Sequence, residues 1–219
     1  MHSIYSDGSV APAELVQMAK RAGVSAISLT DHDIVDGTDE VLAAGSAEGI
    51  EIIPGVEIST SYRGKTMHIL GYFLDYRRPD FAARLAKLRA GRDKRNPEIV
   101  RKLRDLGYEI TMDEVRAKAG KGSIGRPHIA AVMIEKKYVQ SGQEAFDRFL
   151  AQGGLAYVVR DKFTPQDSLE LIRSVGGAPV LAHPGHLYLT EDEYRETLRR
   201  LKEIGLAGVE TYYSDHSPD

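Results

Sequence analysis

The sequence predicts an α/β fold, and three observations carry that prediction. One unit recurs along the 219 residues: a helical stripe of apolar positions, a glycine stop, a short β-branched run, and a polar residue where the run ends. The runs are short and almost wholly apolar, as in strands buried on both faces of a parallel sheet. With 42% hydrophobic and 28% charged residues, the chain can build one sizeable core and a small second lobe.

Taken in order, Ser6, Asp7 and Ser9 precede a helix over Ala11 to Ala22, with Pro12 in its first turn and Gly23 closing it. On their own these residues read as a capping cluster. AGVSAISLTDHD then forms a strand that ends at Asp31 and His32, and Asp36 to Glu48 a helix. EGIEIIPGVEIS carries Glu57 and GKTMHILGY carries His68, each on a strand. From about Asp75 to Arg160, Pro97, Gly120 to Gly125 and Gly153 to Gly154 divide a charged stretch into short helices. The α/β pattern returns with a helix over Pro165 to Val175, the strand of GGAPVLAHPGH ending at His183, a helix over Glu191 to Ile204, and GLAGVETYYSDH ending at Glu210.

Parallel strands that each end in an ionisable residue bring those residues to one rim. His2, Asp7, His32, Glu57, His68 and His183 make such a set, although His68 lies inside its run and also suits a packed core histidine. The chain has no cysteine, which excludes a disulfide framework, a thiolate metal site and a catalytic thiol. A metal would therefore rest on imidazoles and carboxylates, a donor set suited to Mn, Fe or Zn. No serine sits in a Gly-x-Ser-x-Gly elbow, and no glycine loop carries the lysine of a nucleotide-binding loop. Without a long apolar run or a signal-like start, the sequence reads as a soluble cytoplasmic protein with no membrane partner.

Net charge is only -3, yet Arg77 through Arg104 holds 11 of the 29 lysines and arginines against three acids. Such a run is either a solvated helix face or a basic lobe that attracts a polyanion.

HSIYSDGS, LTDHD, GVEIS, MHILGY, GRPH and LAHPG, in that order, resemble the PHP family, the polymerase and histidinol phosphatase superfamily of metal-dependent phosphoesterases. The resemblance is strongest to the branch acting on nucleoside 3′,5′-bisphosphates and short oligonucleotide 5′ ends. It implies a distorted (β/α)7 barrel, here incomplete, with barrel segments over residues 1–74 and 161–219 and a helical insertion over 75–160. It also implies two to three divalent ions in the complete protein. His2 and a bridging Glu57 would hold one, Glu57, His68 and His183 a second, and Asp7 with His32 part of a third. Glu57 would thereby hold the attacking hydroxide between two ions. The family's pattern places one further histidine before Met1 and an Asp-x-His motif beyond Asp219. His216 in YYSDHS reads as a solvated loop residue rather than a substitute ligand.

In SIGRPHIA the resemblance assigns Arg126 to a substrate phosphate, which its planar fork suits, with His128 as a neighbour. Many relatives carry a lysine where QGGLAYV has Gly154, and Arg160 or Lys162 in VVRDKF is expected to supply that charge. The expected partner is a phosphorylated nucleotide or short oligonucleotide, without a stable nucleic-acid complex. The alternatives are a phosphatase of a non-nucleotide metabolite, a metal amidohydrolase acting on C–N bonds, and a non-catalytic PHP-like metal-binding module.

Overall fold

The computed structural model describes residues 1–120 and 122–214, so His216 lies outside the described residues. Five strands form one sheet in the order β1-β2-β3-β4-β5: Ala26–Leu29, Glu51–Tyr62, Lys65–Tyr72, Ala178–Leu181 and Gly208–Val209. Helices α1 (Pro12–Arg21) and α2 (Thr38–Glu48) flank β1 in sequence, and α7 (Pro165–Ser174) and α8 (Glu191–Glu203) flank β4. The four expected helices therefore stand within two residues of their predicted limits. Thr164 and Thr190 start α7 and α8 with capping boxes, in which a threonine hydroxyl accepts from a backbone N–H three residues on.

The sheet is mixed rather than parallel. β1 runs parallel to β2 and β4 parallel to β5, but β3 is antiparallel to both of its neighbours. The reason is local. Arg63 and Gly64, at φ 48° and 77°, make a two-residue turn between the paired Tyr62 and Lys65, and a turn that short can only join antiparallel strands.

Alternation along β2 and β3 then sorts the side chains. Val56, Ile58, Met67 and Ile69 pack with Leu181, Leu171 and Ile172 in the core beneath the sheet. Glu57, Ser59, His68 and Leu70 point to the other face and line a cavity.

Residues between β3 and α7 are helical: α3 (Pro79–Asp105), α4 (Met112–Ala119), α5 (Arg126–Glu135) and α6 (Gly142–Ala145), followed by a π-helical turn over Phe146–Leu150. Contrary to expectation, Pro97 does not divide α3, which continues for 27 residues. A proline inside a helix forfeits one backbone hydrogen bond and costs about 3 kcal/mol. Packing on both sides of it decides the matter. Phe81, Leu85 and Leu88 are buried in the core under the sheet, while Ile99, Val100 and Leu103 are buried in a second apolar cluster with α4 and α5. One helix thus pins the two clusters together. Among the described residues, no helix is long and apolar enough to cross a membrane.

Candidate active site

Glu57, only 2% exposed, stands at the centre of the histidines. His2 Nε2 lies 3.0 Å from its Oε2. Its Oε1 is 2.7 Å from His68 Nδ1, 3.0 Å from His183 Nε2 and 3.9 Å from His32 Nδ1. Asp7 sits between His2 Nδ1 at 3.5 Å and His32 Nε2 at 3.4 Å. All six expected rim residues meet, and they do so because neighbouring segments extend the sheet. His32 makes an isolated parallel bridge to Glu57, and antiparallel β3 sets His68 opposite Ser59. A position inside a strand therefore still reaches the rim.

Two carboxylates outside that set of six, buried Asp31 and half-buried Glu210, hold the rim in shape. Asp31 accepts from the Ser3 backbone N–H at 2.7 Å and from the hydroxyls of Ser3 and Ser6 at 2.6 and 2.5 Å, which fixes the loop carrying His2 and Asp7. Ser6 is therefore an anchor of this loop rather than a helix cap. Glu210 accepts the His183 backbone N–H at 2.6 Å. His183 needs that support, since φ 25° and ψ 63° place it where side-chain-bearing residues seldom go.

Electrostatics couples the group. Burial raises the Glu57 carboxyl, but His32, His68 and the hydrogen bonds from His183 and His2 hold it well below the usual carboxylate range. Burial likewise opposes charge on His32, yet Glu57 and Asp7 outweigh it and push the imidazole up to about 9. For His68 burial wins and the ring falls to about 4.

The donors suit divalent ions. His2, His32 and Glu57 form one set and Glu57, His68 and His183 another, each with its ligand atoms within 4.8 Å of one another. His2 Nδ1 and His32 Nδ1 are buried with no hydrogen-bond partner. Buried polar atoms seldom go unsatisfied without a functional reason, and a metal is a suitable partner for a ring nitrogen. The structure thus brings His32 beside His2 as well as beside Asp7.

The same cavity, about 510 Å³, has a second wall made of Arg92, Arg95, Arg126, Arg160 and Lys162. Arg126 donates to the Leu150 carbonyl at 2.8 Å and lies over the Phe146 ring, so both of its supports come from the π-helical turn. Arg95 donates to Asn96 Oδ1 at 2.8 Å, and Lys162 bonds the Thr66 hydroxyl. Each of these partners is neutral. Burial first, then the neighbouring arginines, push Arg95 and Arg160 down, and lower Lys162 to about 7. His128 is placed differently. It lies in the first turn of α5, its Nδ1 accepts the Gly125 N–H at 2.9 Å, and it is not among the residues lining the cavity, although Asp7 and Arg92 of that lining act on its ring.

Sequence reasoning missed Arg92, Arg95 and Asp33. A signal existed, since Arg92 and Arg95 are three residues apart in the basic run and hence share one helical face.

An α/β sheet edged by a histidine-carboxylate rim, facing a wall of four arginines and a lysine of which Arg92 and Arg160 share the carboxylate of Asp33, suits a metal-dependent hydrolase of anionic substrates. Comparison with known proteins makes this more particular. Residues 1–207 match the family model of the PHP domain, and the chain belongs to the PHP family. It is 36% identical over 209 residues to a 5'-3' exoribonuclease of Haemophilus influenzae, covering 95% of this chain and 76% of that protein. It is 30% identical over 219 residues to a 3',5'-nucleoside bisphosphate phosphatase of Chromobacterium violaceum, covering 100% of this chain and 77% of the relative. The solved structure of an amidohydrolase from Chromobacterium violaceum, with bound sulfate and no metal, superposes with a TM-score of 0.93 at 29% identity, covering 99% of this chain and 76% of that one. The chain takes its place among the phosphoric ester hydrolases.

Proposed function

We propose that this hydrolase releases phosphate from a nucleoside 3′,5′-bisphosphate or from the 5′ end of a short oligonucleotide. The observation that supports this reading is the opposition of the two walls across one cavity. A substrate carrying two phosphates can meet both at once: the phosphate to be cleaved against His2, Asp7, His32, Glu57, His68 and His183, the other against Arg126, Arg92 and Lys162. Glu57, shared between both donor sets, bridges them. Divalent ions held there, of the manganese, iron or zinc type, supply Lewis-acid stabilisation of phosphoryl charge and activate water near neutral pH.

The chain's own contribution is placement and field. Arg126 offers a planar fork suited to two phosphate oxygens, and the Phe146 ring and Leu150 carbonyl limit its rotamers. Holding the remote phosphate fixes the reacting one, which converts binding energy into orientation. Asp7 keeps its negative charge through His32 and His2, and so tends to retain cationic partners at the rim.

The test is phosphate release from adenosine 3′,5′-bisphosphate by protein loaded with manganese, with metal content measured by elemental analysis. Turnover that disappears on chelation and returns with metal is expected. A second reading, hydrolysis of a C–N bond, is favoured by the description of the superposed amidohydrolase. It leaves the arginine wall without a task. Release of ammonia without phosphate would establish it in place of the first.

A further inference from the structure

Asp33 is fully buried and faces the arginine wall, not the histidine rim. Its Oδ2 accepts from Arg92 Nε at 3.0 Å, from Arg92 Nη2 at 2.6 Å and from Arg160 Nη2 at 3.3 Å. Its Oδ1 accepts the Ser59 backbone N–H at 2.7 Å. Its own N–H donates to the Glu57 carbonyl at 2.9 Å. The residue stands at φ 58°, in the left-handed region that aspartate and asparagine tolerate better than most side chains.

Both arginines are long, and among the described residues neither pairs with another carboxylate. Arg92 has the Ser59 hydroxyl at 2.9 Å as its second anchor, and Arg160 has the Leu88 carbonyl at 3.2 Å. They approach from opposite ends of the helical stretch, Arg92 from the middle of α3 and Arg160 from the loop before α7. One carboxylate therefore gathers two guanidiniums that would otherwise repel, and ties them to the strand bearing Glu57.

We infer that Asp33 is a positioning residue that sets the geometry of the arginine wall for a phosphate. The inference deepens the proposed function and rests on it for the identity of the substrate, though not for the binding of an anion. Electrostatics alone makes the opposite forecast. Removing a negative charge beside an anion site strengthens anion binding through space. Removing a positioning group weakens it, because the freed arginines lose the orientation that a phosphate needs. The sign of the effect separates the two.

The test uses Asp33→Asn, which keeps φ and an acceptor for the Ser59 N–H but turns an N–H donor toward the arginines. Two quantities are measured: the affinity for inorganic pyrophosphate by calorimetry in the presence of chelator, and KM and kcat for adenosine 3′,5′-bisphosphate and 4-nitrophenyl phosphate with manganese. Loss of a charged hydrogen-bond partner predicts pyrophosphate affinity about tenfold weaker, with the bisphosphate loss falling on KM rather than kcat and exceeding the loss on the aryl phosphate. Unchanged or tighter pyrophosphate binding overturns the inference, as does an equal loss on both substrates with kcat as the affected constant.

Should Asp33→Asn fail to show a cooperative thermal transition, Ser59→Ala decides. It removes only the second anchor of Arg92, and an about threefold weakening is expected from a single neutral hydrogen bond. No change in this variant overturns the role. If the wild-type protein hydrolyses neither substrate while Asp33→Asn still weakens pyrophosphate binding, the proposed function fails and the role of Asp33 stands. If the wild type hydrolyses the bisphosphate and Asp33→Asn matches it in every constant, the reverse holds.

Discussion

The histidine rim gathers four imidazoles around one buried carboxylate, Glu57, whereas the opposite wall gathers arginines around another, Asp33. The rim can adjust its charge. Glu57 and Asp7 outweigh burial and push His32 up to about 9, whereas burial pushes His68 down to about 4. The arginines of the opposite wall cannot adjust in this way, because a guanidinium keeps its proton in proteins, whereas Lys162 beside them is lowered to about 7. The wall's positive field must be answered by an anion, and Asp33 provides a single negative charge for two of the four arginines. The difference teaches that the two walls solve the cost of buried charge in distinct ways: one by sharing protons or metal ions, the other by leaving a place for substrate.

The sharpest break in this comparison comes from Glu57→Gln. It removes the shared carboxylate of both donor sets, so metal content and phosphate release should fall together, activity by ~100-fold or more. Elemental analysis beside a turnover assay checks it, and an active variant with full metal occupancy would refute the role given to Glu57.

Arg126→Ala acts on the other wall alone. Loss of a charged hydrogen-bond partner costs about 1.5–3 kcal/mol, which is about tenfold or more in kcat/KM for a bisphosphorylated nucleoside. A simple aryl phosphate, which has nothing to place there, should lose far less, and metal content should stay level. Equal losses on the two substrates would merge the walls into one site and end the comparison.

The smallest effect belongs to Lys162, whose ammonium burial and then Arg160 and Arg126 lower to about 7 from 10.5. In the free protein its charge is lost as pH rises through about 7, so KM for a bisphosphate should rise a few fold, about threefold, between pH 6.5 and 8.5. Lys162→Gln should flatten that profile. The stability consequence has the opposite sense. The unfolded chain keeps its proton up to 10.5, so this group's contribution to the ligand-free fold improves as pH rises from about 7 toward 10.5. Thermal denaturation of the two proteins across that window measures it.

The amino-acid order by itself determined the rim. His32, Glu57 and His183 each stand at or near the end of an apolar run; His32 and His183 do follow their strands β1 and β4, while β2 continues past Glu57 to Tyr62 because the turn to β3 extends the pairing. The Arg63-Gly64 turn and the threonine caps of α7 and α8 also depend on residues two or three apart, so their signals were local, although the expectation of a parallel sheet passed over the turn. Tertiary structure decided the rest. Packing of α3 into two apolar clusters carried the helix through Pro97, where local rules predicted a break. The same continuity sets Arg92 and Arg95 into the cavity with Arg126 and Arg160, 31 to 68 residues along the chain from them. The start of α5 directed His128 Nδ1 to a backbone N–H and set Arg126 and Pro127 in the cavity lining. Asp33 looked like one more polar residue after a strand, and only the approach of Arg92 and Arg160 gave it partners. Ligands at strand ends are legible because the backbone that places them is local, while charges gathered from distant helices depend on long-range packing that no short stretch of sequence encodes.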